Sequence, residues 1–139
     1  MKIIEIEPSD KIYLAESSIP NADRGVFAKN PISEGELIES CPVIEVSLKD
    51  PANSDENGLL VDYFFYFGDG LALALGFGSV YNHSYEPNAT YKKNLEAKTI
   101  EFIAIKEIAK GEEITVNYNF GDPNDKSKPQ NRGVPASDI

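Results

Sequence analysis

The sequence has few of the residues that build metal clusters or cross-linked folds. Its 139 residues include one cysteine, one histidine, one methionine and no tryptophan. Cys41 alone excludes an internal disulfide framework and a multi-cysteine zinc site, so packing and hydrogen bonds must hold the fold. A single thiol is also typical of a reducing, intracellular setting. We therefore expect no structural metal.

Long apolar segments are missing as well. The opening residues, MKIIEIEPSDK, carry a charge every few positions and lack the apolar centre of a signal peptide. No stretch approaches the length that crosses a bilayer. The sequence predicts a soluble protein that makes no membrane contact.

Positive charge is scarce, with 13 Lys and Arg against 23 Asp and Glu and a net charge of −10. Residues 121–139 are balanced, so the acidic excess lies in residues 1–120. Such a surface repels a phosphate backbone, which argues against direct nucleic-acid binding and favours a basic protein or peptide as partner. The alternative is that the charge serves solubility alone.

The composition predicts one folded domain followed by a tail. Residues 1–120 hold enough apolar side chains for one core of ordinary size. Residues 121–139 contain three prolines and few apolar residues, which is typical of a flexible, polar tail.

Short segments rich in β-branched and aromatic residues, separated by turn-forming residues, predict a mainly β fold. The clearest hairpin joins Tyr91–Leu95 to Ile100–Ile105 through the polar link 96–99. The dense apolar residues of 57–67 must pack or line a pocket. The predicted strands are Ile12–Glu16, Gly25–Ala28, Leu37–Pro42, Val43–Ser47, Ala89–Asn94, Thr99–Ala104 and Glu113–Tyr118.

Three ordered motifs carry the chemical information. The first is Arg24-Gly25-Val26-Phe27-Ala28, the second is Asn82-His83-Ser84 followed by Pro87-Asn88, and the third is Gly111-Glu112-Glu113-Ile114-Thr115-Val116-Asn117-Tyr118. An Asn-His-Ser run alone is more often a polar turn. Together, in this order and spacing, the motifs resemble those of the SET-domain protein lysine methyltransferases over roughly residues 12–120.

The resemblance implies a β-rich SET fold, β-clip-like, with short sheets and a pseudoknotted C-terminal segment that brings Tyr118 beside Asn82 and His83. Physical rules alone would not predict such threading. The brevity of the chain and its Gly-rich approach to Asn82 most resemble the minimal viral type of SET protein, which functions as a homodimer.

The resemblance also implies S-adenosyl-L-methionine as cofactor, bound by Arg24, Gly25, Asn82, His83 and Tyr118. A glycine lets a ligand approach the main chain closely. The departure from the family pattern is Asp23, which replaces the first glycine of a Gly-x-Gly. Its carboxylate has two interpretations, contact with the cofactor or hydrogen bonding within the turn.

The catalytic residues implied by the resemblance are Tyr118, Tyr91 and Tyr63, acting by positioning and electrostatics rather than as a base. Tyr91 matches a position where a tyrosine hydroxyl restricts the number of methyl groups added, or it is an ordinary strand aromatic. Tyr63 and Phe120 are predicted channel walls, with core packing as the alternative.

One family component is missing. Many SET enzymes close the substrate channel with a cysteine-rich zinc segment, and the tail here has no cysteine. The tail itself, a second subunit or the substrate must close the channel. The sequence predicts methyl transfer to a lysine of a protein, with histone tails as one candidate; the alternative is a catalytically silent SET-like module that binds a basic peptide.

Overall fold

Two small sheets form the fold. The computed structural model describes residues 4–47, 49, 60, 63–119 and 121–127, and one sheet has the order β1-β2-β9-β6 while the other has the order β4-β5-β3-β8-β7. The strands are β1 (Ile12–Glu16), β2 (Arg24–Ala28), β3 (Leu37–Val46), β4 (Phe64–Phe67), β5 (Gly70–Ala74), β6 (Asn82–His83), β7 (Ala89–Asn94), β8 (Thr99–Ala104) and β9 (Glu113–Val116).

The longest strand, β3, changes partner at its proline. Leu37–Pro42 pair with β8, and Val43–Val46 pair with β5. Pro42 has no N–H to donate, yet its carbonyl still accepts a hydrogen bond from Leu75 N at 2.9 Å. Because β3 changes partner, it joins the β4-β5 part of the second sheet to the β8-β7 part.

The strand β9 lies between β2 and β6, antiparallel to the first and parallel to the second. Its residues Ile114 and Val116 are buried in the main core, and Asn88 fixes its position from the side. The Asn88 amide donates to Glu113 O at 2.8 Å and accepts from Thr115 N at 2.9 Å. The C-terminal motif is thereby held against the central one.

Two turns of similar sequence close the fold at Gly35 and Gly111, whose φ angles of +85° and +82° require glycine. In each turn a glutamate carboxylate accepts from a main-chain N–H three residues earlier, Glu36 from Ser33 and Glu112 from Ala109. The antiparallel bridge Ile32–Ile108 joins the segments that enter the two turns. The repetition is therefore one of local turn chemistry.

The mainly β fold is confirmed, and several predicted boundaries are wrong. Leu37–Pro42 and Val43–Ser47 form the single strand β3. The last strand ends at Val116 rather than Tyr118, because Asn117 turns the chain through side-chain hydrogen bonds. Thr99 belongs to β8, as the predicted strand Thr99–Ala104 has it, so the hairpin link 96–99 was one residue too long; β2 begins at Arg24 rather than Gly25.

The run 57–67 is described only at Leu60 and from Tyr63 onward, and there Phe64 and Phe67 are buried. Phe120 and residues 128–139, about which predictions were also made, lie outside the described residues. In the part of the chain that the structure describes, no helix has the length and apolar character needed to span a bilayer.

Candidate functional site

The three sequence motifs meet where β2, β6 and β9 run side by side. Asn82 and His83 form the two-residue strand β6 opposite Thr115 and Val116, and Ser84 N donates to Val116 O at 3.0 Å. This parallel contact brings the third motif beside the second, as the sequence predicted.

Asn82 links β6 to the start of β2. Its Nδ2 donates to Arg24 O at 2.9 Å and to Glu113 Oε2 at 2.8 Å. Both amide hydrogens are then used, and no described residue donates a hydrogen bond to the Asn82 Oδ1 atom, which is the acceptor of the group. Glu113 is in turn held by the hydroxyl of Ser17 at 2.7 Å. This network sets the orientation of the Asn82 amide.

Gly25 lies directly against this network. A Cβ added at Gly25 would come within 2.3 Å of Glu113 Oε2 and 2.9 Å of Asn82 Nδ2. The neighbouring Asp23 adopts a φ of +66°, a left-handed conformation that aspartate tolerates better than most residues. The positive φ at position 23 explains why the family pattern has a glycine there.

His83 faces the C-terminal motif. Its Nδ1 accepts a hydrogen bond from Tyr118 N at 3.0 Å, and its ring contacts Tyr85 edge-on at 4.5 Å between centroids. Nδ1 must therefore be unprotonated, which places the ring proton on Nε2. Nε2 is buried and has no hydrogen-bond partner among the described residues. Burial lowers the pKa of His83, which favours this neutral form.

Tyr118 turns its hydroxyl back toward β6. The hydroxyl donates to Tyr81 O at 2.7 Å, and the ring lies 5.2 Å from that of His83 between centroids. Burial raises the pKa of Tyr118 above its ordinary value, and the nearby Tyr91, Tyr63 and Glu113 add to the rise. The hydroxyl therefore stays protonated. Its hydrogen is donated to Tyr81 O, and its oxygen lone pairs can accept a further contact.

The structure places the other two predicted tyrosines differently. Tyr91 is 5% exposed and directs its hydroxyl toward Tyr118 O, 3.5 Å away. Its ring packs edge-on against Phe65 at 5.2 Å. Tyr63 is 46% exposed and is close enough to Tyr118 to affect the pKa of its hydroxyl. Tyr91 is thus buried, Tyr118 is partly buried and Tyr63 is exposed, and both Tyr91 and Tyr63 lie near Tyr118.

The first residues of the tail pack against this site. Asn117 Nδ2 donates to Asp125 O at 2.6 Å, and Asn119 Nδ2 donates to Ser127 O at 2.7 Å. Lys126 Nζ reaches Tyr85 O at 2.5 Å. Residues 121–127 thus contact the face that carries His83.

Sequence reasoning overlooked several residues that hold the site. Ser17, Glu113 and Tyr81 were not predicted to contribute, although Glu113 and Tyr81 lie inside or next to the motifs. The available signal for Glu113 was its place in the third motif, directly before the run Ile114–Val116. No local signal identified Ser17, because 96 residues separate it from its partner.

Comparison with known proteins places this geometry in a family. Residues 23–119 match the model of the SET domain. A fission yeast (Schizosaccharomyces pombe) histone-lysine N-methyltransferase specific for H3 lysine 37 is 34% identical over 96 residues, which cover 68% of this chain and 65% of that enzyme. The chain therefore spans somewhat less than two thirds of that relative.

Solved structures agree. The crystal structure of a candidate histone methyltransferase from Plasmodium falciparum superposes with a TM-score of 0.62 at 31% identity, covering 81% of this chain and 95% of that one. An autoinhibited polycomb repressive complex 2, abbreviated ctPRC2 and bound to S-adenosylmethionine, gives a TM-score of 0.67 at 25% identity, covering 85% of this chain and 16% of that one. The chain belongs to the SET-domain family.

Proposed function

We propose that this SET domain transfers a methyl group from S-adenosyl-L-methionine to a lysine side chain of a basic protein, with a histone tail as one candidate substrate. The observation that carries the proposal is the Tyr118 hydroxyl, held by Tyr81 O at 2.7 Å beside Asn82 and His83. This hydroxyl is held next to Asn82, whose Oδ1 is an acceptor, and next to His83, whose buried Nε2 has no hydrogen-bond partner among the described residues.

The residues around β6 suit the cofactor. The Oδ1 of Asn82 is an acceptor for an ammonium group, and the absence of a Cβ at Gly25 lets the Asn82 amide and the Glu113 carboxylate pack directly against the main chain beside Arg24. The buried Nε2 of His83 is a donor without a partner among the described residues. We propose that Arg24 and Gly25 contribute main-chain contacts, and that Asn82 and His83 contribute side-chain contacts.

When bound, the cofactor supplies an electrophilic methyl group on a sulfonium. Tyr118 offers oxygen lone pairs toward that centre, and weak CH···O contacts to a polarised methyl stabilise the transfer geometry. The lysine would have to lose its proton to solvent before its nitrogen could accept the methyl group that the cofactor would supply, with the sulfur keeping the electron pair of the C–S bond. Tyr118 stays protonated and takes no part in proton transfer.

The other tyrosines would form the lysine channel. The buried Tyr91 and the partly buried Phe65 would provide aromatic walls, which exclude water and stabilise a cationic amine as it approaches. We propose that the Tyr91 hydroxyl also limits how many methyl groups the amine accepts. Tyr63, half exposed, would form the entrance.

The relatives support the substrate class. The fission yeast relative is named as acting on histone H3, and a polycomb neighbour was solved with S-adenosylmethionine. Histone tails are strongly basic, and this chain carries a net charge of −10, so the charges are complementary.

Radiolabelled methyl transfer to a panel of basic peptides and whole histones tests the proposal. We expect transfer by the wild-type protein. Tyr118→Phe should lower kcat by about 100-fold or more while cofactor affinity, measured by calorimetry, changes less than about threefold, because the hydroxyl acts mainly in the transition state. Cofactor binding without transfer to any substrate would instead support a catalytically silent peptide-binding module.

A homodimer, as in the minimal viral SET proteins, stays a prediction, as does the lack of direct nucleic-acid binding. Light scattering coupled to size-exclusion chromatography tests the first. Titration of labelled duplex DNA at about 150 mM salt tests the second, and tight binding there would contradict the electrostatic argument.

A further inference from the structure

A buried carboxylate lies just outside the proposed active site, and the proposed chemistry does not use it. Glu39, on β3, is 6% exposed. Its Oε1 accepts a hydrogen bond from the Tyr81 hydroxyl at 2.9 Å, and its Oε2 accepts one from Phe77 N at 2.9 Å. A carboxyl group buried in a core needs such partners. Glu39 therefore holds the main chain at Phe77 and the side chain of Tyr81 at the same time.

Those two points bracket the turn that leads into Asn82. Within it, Val80 N donates to Phe77 O at 3.0 Å. The turn begins at Gly76, whose φ is +62° and where an added Cβ would lie 2.4 Å from Glu39 Oε2. Position 76 therefore requires glycine for two reasons: its φ is positive, and a side chain would collide with the Glu39 carboxylate.

Tyr81 connects this turn to Tyr118. Its ring is 2% exposed and stacks on Phe102 at 4.2 Å between centroids. Its main-chain carbonyl accepts the hydrogen bond from the Tyr118 hydroxyl. Because the ring is fixed at its face by Phe102 and at its hydroxyl by Glu39, the backbone of Tyr81 has little freedom to rotate. The direction of the carbonyl follows from these contacts.

We propose that Glu39 is a positioning residue that sets the Tyr118 hydroxyl through Tyr81. It does not itself touch the reacting atoms. This inference rests on the proposed role of Tyr118 in methyl transfer. Its distinctive expectation is that loss of the Glu39–Tyr81 hydrogen bond impairs turnover only while Tyr118 has a hydroxyl to position.

A double-mutant cycle tests this expectation. Tyr81→Phe removes the hydrogen bond and keeps the ring and the carbonyl. It should lower kcat by about tenfold with less than about a twofold change in cofactor KM. In a protein that already carries Tyr118→Phe, the same substitution should leave the residual kcat unchanged. Tyr13→Phe, at an exposed tyrosine of β1, is the matched control and should change neither parameter.

If Tyr81→Phe folds poorly, Glu39→Gln can take its place in the double-mutant cycle. The glutamine keeps the shape and one acceptor oxygen, so its loss of kcat should be smaller than that of Tyr81→Phe and should also disappear in the Tyr118→Phe background. Thermal unfolding of each variant separates lost stability from lost positioning, since stability falls in both backgrounds alike.

The outcomes separate the two hypotheses. If Tyr118→Phe alone keeps full turnover, the proposed role of Tyr118 and this inference both fail. If Tyr118→Phe abolishes turnover but Tyr81→Phe lowers kcat equally in both backgrounds, only the inference fails. Should no substrate in the panel be methylated, the 13Cζ resonance of labelled Tyr118 serves instead. It should shift in Tyr81→Phe, and an unchanged resonance would overturn the inference.

Discussion

At the scale of residues, the chain's single histidine accepts the Tyr118 N–H at 3.0 Å through Nδ1. Protonation would replace that acceptor with a donor and break the contact. Burial lowers the pKa of His83 below 6.5, so the folded state resists protonation more than the unfolded chain does. The site is therefore sensitive to mild acid.

We expect the free energy of unfolding to fall as pH drops below about 6.5. Above that pH both states carry a neutral His83 and the residue has no effect. Below it the unfolded state takes up the proton first, and the loss of stability ends once the pH is below the folded pKa. Urea denaturation between pH 8 and 5.5 measures this. His83→Gln should remove the slope near pH 6; an equal slope in that variant would assign it to other groups.

Tyr91 yields a prediction about product. If its hydroxyl crowds the amine, Tyr91→Phe should raise the fraction of di- and trimethylated lysine by several-fold while total turnover changes little. Mass spectrometry of a single-lysine peptide measures the distribution. Tyr13→Phe serves as control. An unchanged product distribution would return Tyr91 to the role of a strand aromatic, whose ring packs against Phe65 and Phe102.

At the scale of elements, the junction of β2, β6 and β9 leaves no room beside Gly25. Gly25→Ala should lower the free energy of unfolding by about 1–3 kcal/mol, because the new methyl group must displace the Glu113 carboxylate. It should also weaken cofactor binding by at least about tenfold, since the Asn82 amide loses its fixed orientation. Calorimetry and thermal unfolding measure the two effects.

The matched control is Gly111→Ala. Gly111 has a positive φ, which Gly25 does not, and nothing lies within 4 Å of an added Cβ at Gly111. Gly111→Ala should lower the free energy of unfolding by about 1 kcal/mol through backbone strain and leave cofactor binding unchanged. Equal losses of binding in both variants would show that general destabilisation, rather than the Gly25 contact, accounts for the result.

Strands with alternating or β-branched sequence could be predicted, and those defined by tertiary contacts could not. The predicted limits of β1, β7 and β8 match the structure. The prediction divided β3 at Pro42, which marks a change of partner rather than an end. It missed β4 and β5, since an all-aromatic run followed by Leu and Ala has no distinct period.

The site could be predicted as a set of motifs but not as a network. The family resemblance identified Asn82, His83 and Tyr118, and the structure brings them together. It could not identify the supporting groups. Glu39 and Ser17 act across 42 and 96 residues of sequence, respectively, and only the folded chain shows such distances closing.

At the scale of the whole molecule, the net charge of −10 should act on substrate rather than cofactor. Raising salt from about 50 to 500 mM shortens the screening length several-fold. We expect KM for a basic peptide to rise several-fold and kcat to stay within about twofold. A peptide with the same lysine and neutral flanking residues should show little change. Equal salt dependence for both peptides would contradict electrostatic recruitment.

The position of β9 also determines when the protein can become functional during synthesis. This strand is the last one in the described part of the chain, yet it lies between β2 and β6. Until residues 113–118 leave the ribosome, two strand edges stay unpaired and the Asn82 amide lacks its carboxylate partner. We therefore expect binding of the proposed cofactor to come late in folding, and a nascent chain released before this segment to offer open edges to aggregation or to chaperones.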